Sequence, residues 1–148
     1  MARRVRLLTR VPESPFLPQP VIETKKPLSV LLVEDHDGMR TALRDWLLTS
    51  FPPLRLREAR SMEEALRLAG QAALDVVLMN LELPGPNGIE ATRALRRQFP
   101  GCRIIMTSVH DSAALRVAAL EAGAEAFVSK RELPHCLLAL LSPLLQKL

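Results

Sequence analysis

Cysteine is scarce in this chain of 148 residues: Cys102 and Cys136 are the two present, they form no CxxC, and no His/Cys group has zinc spacing. A disulfide scaffold and a zinc module are therefore set aside, and two lone cysteines among apolar neighbours read as buried thiols in a reducing, cytosolic setting. No apolar run approaches the length of a membrane span, although 48% of the residues are hydrophobic. No glycine-rich phosphate cradle and no Ser/His/Asp or Cys/His arrangement is found, so no enzyme is expected. His36 and His110 fall at strand ends, where each is expected to cap a helix or face water.

Net charge is also missing from most of the chain. Residues 1–27 hold six basic side chains (Arg3, Arg4, Arg6, Arg10, Lys25 and Lys26) against Glu13 and Glu23, while residues 28–148 carry fourteen of each sign. The +4 of the whole chain thus belongs to its first segment, which removes most of the case for a nucleic-acid-binding face on the body of the protein. With five prolines and little periodicity, residues 1–27 are expected to form a basic, flexible leader, Arg-rich as transit peptides are, ahead of one domain over 28–148.

What is present is a repeated pattern of short apolar run and helix-period segment. Ser29–Glu34 reads as a buried strand, and Asp37–Phe51 as a helix stopped by Pro52 and Pro53. Leu54–Ala59 alternates and reads as a strand nearer the sheet edge. Ser61 and Glu64 have capping-box spacing before a helix expected to reach Ala73. Strand 75–80, helix 87–99, strand 103–108, helix to Gly123, strand 125–129 and a last helix 132–146 complete the series. Pro143 is expected to kink or stop that last helix. Five such repeats with short loops predict an α/β fold, a doubly wound, five-stranded parallel sheet.

The stretch Asp75-Val-Val-Leu-Met-Asn80-Leu-Glu-Leu-Pro-Gly-Pro-Asn-Gly88 organises the rest. A buried strand delivers one polar side chain, Asn80, to a loop broken by Pro84, Gly85, Pro86 and Gly88. Glu34 and Asp35 leave the first strand, Ser108 the fourth and Lys130 the fifth. In a doubly wound sheet all of these lie at the carboxyl edge, where such folds place ligands.

With these motifs the sequence resembles the receiver domain of two-component response regulators, over about residues 28–147. Leu31-Leu-Val-Glu-Asp35, the loop Leu83-Pro-Gly-Pro-Asn-Gly-Ile89, Ile104-Ile-Met-Thr-Ser108 and Glu121-Ala-Gly-Ala-Glu-Ala-Phe-Val-Ser-Lys130 carry the likeness. The wording is closest to receivers of LuxR-type regulators, without a DNA-binding domain in this chain. The resemblance implies a flavodoxin-like (βα)5 fold and Mg2+ held by Glu34, Asp35, residue 80 and the Glu82 carbonyl. It implies Ser108 and Phe127 as switch residues and Lys130 as the phosphoryl-binding lysine. Expected partners are a histidine kinase or an output protein, met through the last two helices and the fifth strand, or a second copy of the chain.

Asn80 departs from the family, standing where the resemblance implies a phosphoacceptor aspartate. A carboxylate attacks phosphorus, whereas a carboxamide is a poor nucleophile and contributes no charge to a cation. The expectation is a degenerate receiver, a pseudo-receiver acting by protein contact, with Mg2+ weakly bound or absent. The sequence leaves open an engineered block in an active regulator, and a small flavodoxin-like enzyme. Glu82 as a substitute acceptor is disfavoured, because its side chain is expected to point away from the pocket.

Overall fold

The central runs of the sheet are apolar at every position because both of their faces are covered. In the computed structural model, which describes residues 26–51 and 53–147, β1 (Leu28–Val33) and β3 (Val76–Asn80) are buried throughout, and β4 (Arg103–Ser108) all but its first residue. β2 (Leu54–Ala59) and β5 (Ala126–Ser129) flank them, giving the all-parallel order β2-β1-β3-β4-β5. The edge placement read from the alternation of β2 is what the sheet shows.

Successive strand residues point to opposite faces, which sorts them into two cores. On one face Leu31, Val33, Val77, Met79, Ile104 and Met106 meet α2 (Met62–Ala69), α3 (Gly88–Gln98) and α4 (Ala113–Ala122), through Ala65, Leu95 and Ala119. On the other, Val30, Leu32, Val76, Leu78 and Ile105 meet α1 (Asp37–Ser50) and α5 (Leu133–Lys147), through Leu47, Leu137 and Leu141. Among the described residues no helix is long and apolar enough to cross a membrane.

The ends of the helices mostly follow the local chemistry, with three differences. α2 stops at Ala69 rather than Ala73, because Gly70 closes it with its N–H bonded to the Leu66 and Leu68 carbonyls. Ser61 caps that helix at the Glu64 N–H, but the Glu64 carboxylate reaches back one residue further, to the Arg60 N–H. A reciprocal capping box forms instead at α3, between Asn87 and Glu90. Pro143 does not stop α5, which runs on to Lys147; Leu137 and Leu141 before the proline and Leu144 after it all pack on the sheet. A single 3-10 turn, Lys130–Glu132, leads into that helix. The leader expected over 1–27 lies almost wholly outside the described residues, as does the part of the helix stop assigned to Pro52.

The direction of winding reverses at β1. The chain goes outward from β1 to β2, then crosses to β3 and proceeds outward on the other side. The crevice between the carboxyl ends of β1 and β3 is the switch point at which doubly wound sheets bind ligands. Glu34 and Asp35 follow one of these strands, and Asn80 ends the other.

Candidate functional site

The loop after β3 is shaped around its own backbone. The Leu81 N–H continues the ladder to the Thr107 carbonyl (2.8 Å), and the Gly88 N–H closes the loop on the Leu81 carbonyl (2.9 Å). At Gly88 a Cβ would stand 2.3 Å from the Asn80 carbonyl oxygen and 2.8 Å from the Leu81 Cα, so only glycine permits this approach. The residue that ends β3 is thus gripped from the start of α3.

Asn80 is 3% exposed, and its amide nitrogen is the centre of the site. Nδ2 lies 3.2 Å from Glu34 Oε2, 3.2 Å from Asp35 Oδ1 and 3.0 Å from the Glu82 carbonyl oxygen. All three neighbours are acceptors, so the amide must present its NH2 to them; the reversed orientation would set Oδ1 against three oxygens. Two N–H groups are shared among three acceptors, and Oδ1 is buried with no hydrogen-bond partner.

Glu34, almost wholly buried, is satisfied from several sides. Oε1 accepts from Lys130 Nζ at 2.8 Å, an ion pair in which the two side chains are 2% and 10% exposed. Oε2 accepts from the His36 N–H as well as from Asn80. Its carbonyl accepts from Arg40 Nη1 at 3.0 Å, and the same guanidinium reaches Glu58 (3.1 Å) and Asp37 (2.7 Å). The Asp37 bond raises the Arg40 pKa further, and the Arg40 hydrogen bond is the first cause holding the Asp37 carboxyl below its usual range. His36 caps α1, its Nδ1 accepting from the Met39 N–H, in line with the capping alternative expected of it.

Glu82 corrects an expectation. Its side chain turns toward the sheet edge, where Oε2 accepts the Ser108 hydroxyl proton and Oε1 is buried without a partner. The apolar residues on either side, Leu81 and Leu83, are themselves buried, which leaves the intervening carboxylate beside the end of β4. Ser108, 0% exposed, in turn accepts from the His110 N–H at 2.9 Å.

Glu34, Asp35, Asn80, Glu82 and Lys130 are therefore joined in one hydrogen-bonded network, with Ser108 attached through Glu82. Phe127 is not part of it. Its ring is 5% exposed beneath the Arg116 guanidinium, 5.0 Å from the ring centre, and its carbonyl accepts from Arg116 Nη1 at 2.9 Å. Sequence reasoning missed Arg40, Arg116 and the Glu82 carboxylate. The three-residue spacing of Asp37 and Arg40 on a helix was a usable signal for the first; Arg116 had none.

The oxygens of Glu34, Asp35 and the Glu82 carbonyl are hard donors of the kind Mg2+ takes. In this arrangement the NH2 group of Asn80 is directed at these same oxygens. No group of three or more acids, histidines or cysteines placed to hold a metal ion is found among the described residues.

Comparison with known proteins places this geometry. Residues 30–142 match the response regulator receiver domain family. The transcriptional activator protein ExaE of Pseudomonas putida is 39% identical over 111 residues, covering 75% of this chain and 52% of its own length. The chain thus spans about half the length of the curated relatives it matches. Among solved structures, a two-component response regulator of the LuxR family from Aurantimonas sp. SI85-9A1 superposes with a TM-score of 0.74 at 35% identity, over 82% of this chain and 87% of that one. A response regulator protein from Burkholderia pseudomallei, solved with a phosphorylated aspartic acid, a calcium ion and citrate, superposes with a TM-score of 0.71 at 24% identity, over 81% and 69%; at that identity the likeness speaks for the fold. The fold is the flavodoxin-like one of these receivers, and with the family match extending over most of its length, the chain belongs to the response regulator receiver domain family.

Proposed function

We propose that this receiver is a pseudo-receiver: a protein-binding module whose state is not set by phosphoryl transfer to residue 80. Response regulator receivers work in two-component signalling with histidine kinases and output domains, and typically hold Mg2+ or Ca2+ at the phosphorylation site. The observation that carries the reading is the amide of Asn80, which supplies no nucleophilic carboxylate and directs its N–H groups at Glu34, Asp35 and the Glu82 carbonyl. These are the oxygens proposed to hold Mg2+ in a receiver with aspartate at this position. In the same reading Ser108, Phe127 and Lys130 are the switch and phosphoryl-binding positions, and Lys130 is already paired with Glu34.

The domain proper is residues 28–148, in a cytoplasmic setting, with residues 1–27 as a basic leader. Its working surface is formed by α4, β5 and α5. Val117 (53% exposed), Leu120 and Leu138 are large apolar side chains left in solvent there, in keeping with a second copy or an output protein as partner.

Intact-mass spectrometry after incubation with Mg2+ and acetyl phosphate tests the reading, with Asn80→Asp alongside. The expected result is no adduct on the chain with Asn80 and one phosphoryl group on the variant. A phosphoryl adduct on the chain with Asn80 overturns it.

A further inference from the structure

Ser108 has one hydroxyl proton, and it is donated inside the molecule. It goes to Glu82 Oε2, while the hydroxyl oxygen accepts from the His110 N–H. Glu82 is gripped a second time through its backbone, since its carbonyl takes a hydrogen bond from Asn80 Nδ2. One residue of the β3–α3 loop is thereby tied at its main chain to the end of β3 and at its side chain to the end of β4.

The arrangement is not what packing alone would select. A carboxylate moved out of water without full pairing is unfavourable, and Glu82 Oε1 is buried with no partner. Two and three residues further on, Pro84 and Gly85 are exposed, so a solvent-facing position for this side chain lies close at hand. The Ser108 hydroxyl is the one side-chain donor bonded to the carboxylate among the described residues. Beyond Ser108 the chain comes straight to the surface: Val109 is 58% exposed and His110 is exposed, with the start of α4 at Ala113.

We propose that Glu82 is a built-in ligand for the Ser108 hydroxyl, fixing the turn between β4 and α4 in one arrangement and coupling it to the β3–α3 loop with no external group. The device has two positions. With the carboxylate turned in, Ser108 is spent on Glu82 and its oxygen is held toward the His110 N–H. With the carboxylate turned out to water, the hydroxyl is released and the turn loosens. A protein that binds the turn displaying Val109 would favour one of these over the other, and would thereby be read at the far loop. The inference goes beyond the pseudo-receiver reading and stands whether or not residue 80 accepts a phosphoryl group.

Amide hydrogen exchange of the full chain, followed residue by residue by NMR, tests the coupling without any phosphoryl donor. In Glu82→Ala the His110 N–H is expected to exchange about three- to tenfold faster, with amides of β1 and α2 unchanged as internal reference. Glu82→Gln, whose amide oxygen can still accept the hydroxyl, is expected to keep most of the protection. The reciprocal measurement is the side-chain carboxyl 13C resonance of Glu82, expected in Ser108→Ala to move toward that of the exposed glutamates. An unchanged His110 exchange rate in Glu82→Ala overturns the proposal. If that variant does not fold, an unchanged Glu82 resonance in Ser108→Ala overturns it equally.

Discussion

Lys130 and Glu34, 96 positions apart in the chain, meet as a 2.8 Å ion pair in which both side chains are nearly sealed from water. The pair closes the site across the carboxyl ends of β1 and β5. Removing the ammonium leaves a buried carboxylate without its cation, the situation in which single replacements are most damaging. Glu34 keeps its bonds from Asn80 and from the His36 N–H, which soften the loss. Lys130→Met is therefore expected to destabilise the fold by about 3 kcal/mol, the lower part of the range for breaking a buried pair. Adding Glu34→Gln to Lys130→Met should cause much less further loss than Glu34→Gln does alone. Urea unfolding of the four proteins of the cycle measures this; full additivity would mean that the pair is not coupled.

Asn80→Asp reverses the electrostatics of the same pocket. In place of an NH2 group donating to three oxygens, a third carboxylate would face Glu34 Oε2, Asp35 Oδ1 and the Glu82 carbonyl at about the same separations. Lost hydrogen bonds and clustered negative charge act in the same direction. Without divalent cations the variant is expected to be less stable by about 2 kcal/mol, a fall in Tm of roughly 4–8 °C. Millimolar Mg2+ should recover most of that in the variant and leave the protein with Asn80 unmoved, since its amide already engages the same oxygens. Thermal unfolding with and without Mg2+ decides it; a variant that melts higher in the metal-free buffer contradicts the account.

How much of this was legible in the sequence depends on how local the cause is. The strands at 54–59 and 103–108 agree residue for residue, the first because an edge strand alternates and the second because a buried strand leaves an apolar run. Glu34, Asp35, Asn80, Ser108 and Lys130 were placed at one edge by topology alone. Side-chain direction in loops was not readable. The Glu82 side chain was expected to point away from the pocket, and it meets Ser108, which is 26 positions further along. Arg116 over Phe127 is of the same kind, a contact between elements that no periodicity encodes. The far end of α2 was misjudged because Gly70 closed the helix before the alanines that follow could extend it.

The two thiols separate by environment. Cys102 is 4% exposed and burial is the main cause that pushes its pKa up, only partly offset by Arg96; Cys136 is half-buried on α5. Thiolate is the reacting form, so burial disfavours Cys102 twice, by raising its own pKa and by limiting access. Cys136 is expected to react with a disulfide reagent at pH 8 at least about tenfold faster than Cys102. Cys102 should catch up only in denaturant. Peptide mapping after timed labelling reads both rates in one sample, and comparable rates in the native protein would contradict the burial of Cys102.

Two glycines in the site loop should fail in different ways when given a Cβ. Gly85 has φ of +71° with open space around it, so Gly85→Ala meets only the backbone penalty of the left-handed region, about 1 kcal/mol. Gly85→Asn should recover part of that, since asparagine tolerates this conformation. Gly88 has no such backbone demand; its Cβ would fall 2.3 Å from the Asn80 carbonyl oxygen and 3.0 Å from the Asn80 carbonyl carbon, both backbone atoms that cannot swing aside. Gly88→Ala must therefore push α3 away from the end of β3, with an expected loss of about 3 kcal/mol, typical of overpacking against fixed atoms. The displacement acts on the residue whose amide centres the site, so the Asn80 side-chain NH2 resonances should shift in Gly88→Ala and stay in place in Gly85→Ala. NMR spectra of the two variants, taken beside their unfolding curves, separate the effects. Equal perturbation of Asn80 by both would mean that the grip of α3 on β3 is not what positions the amide.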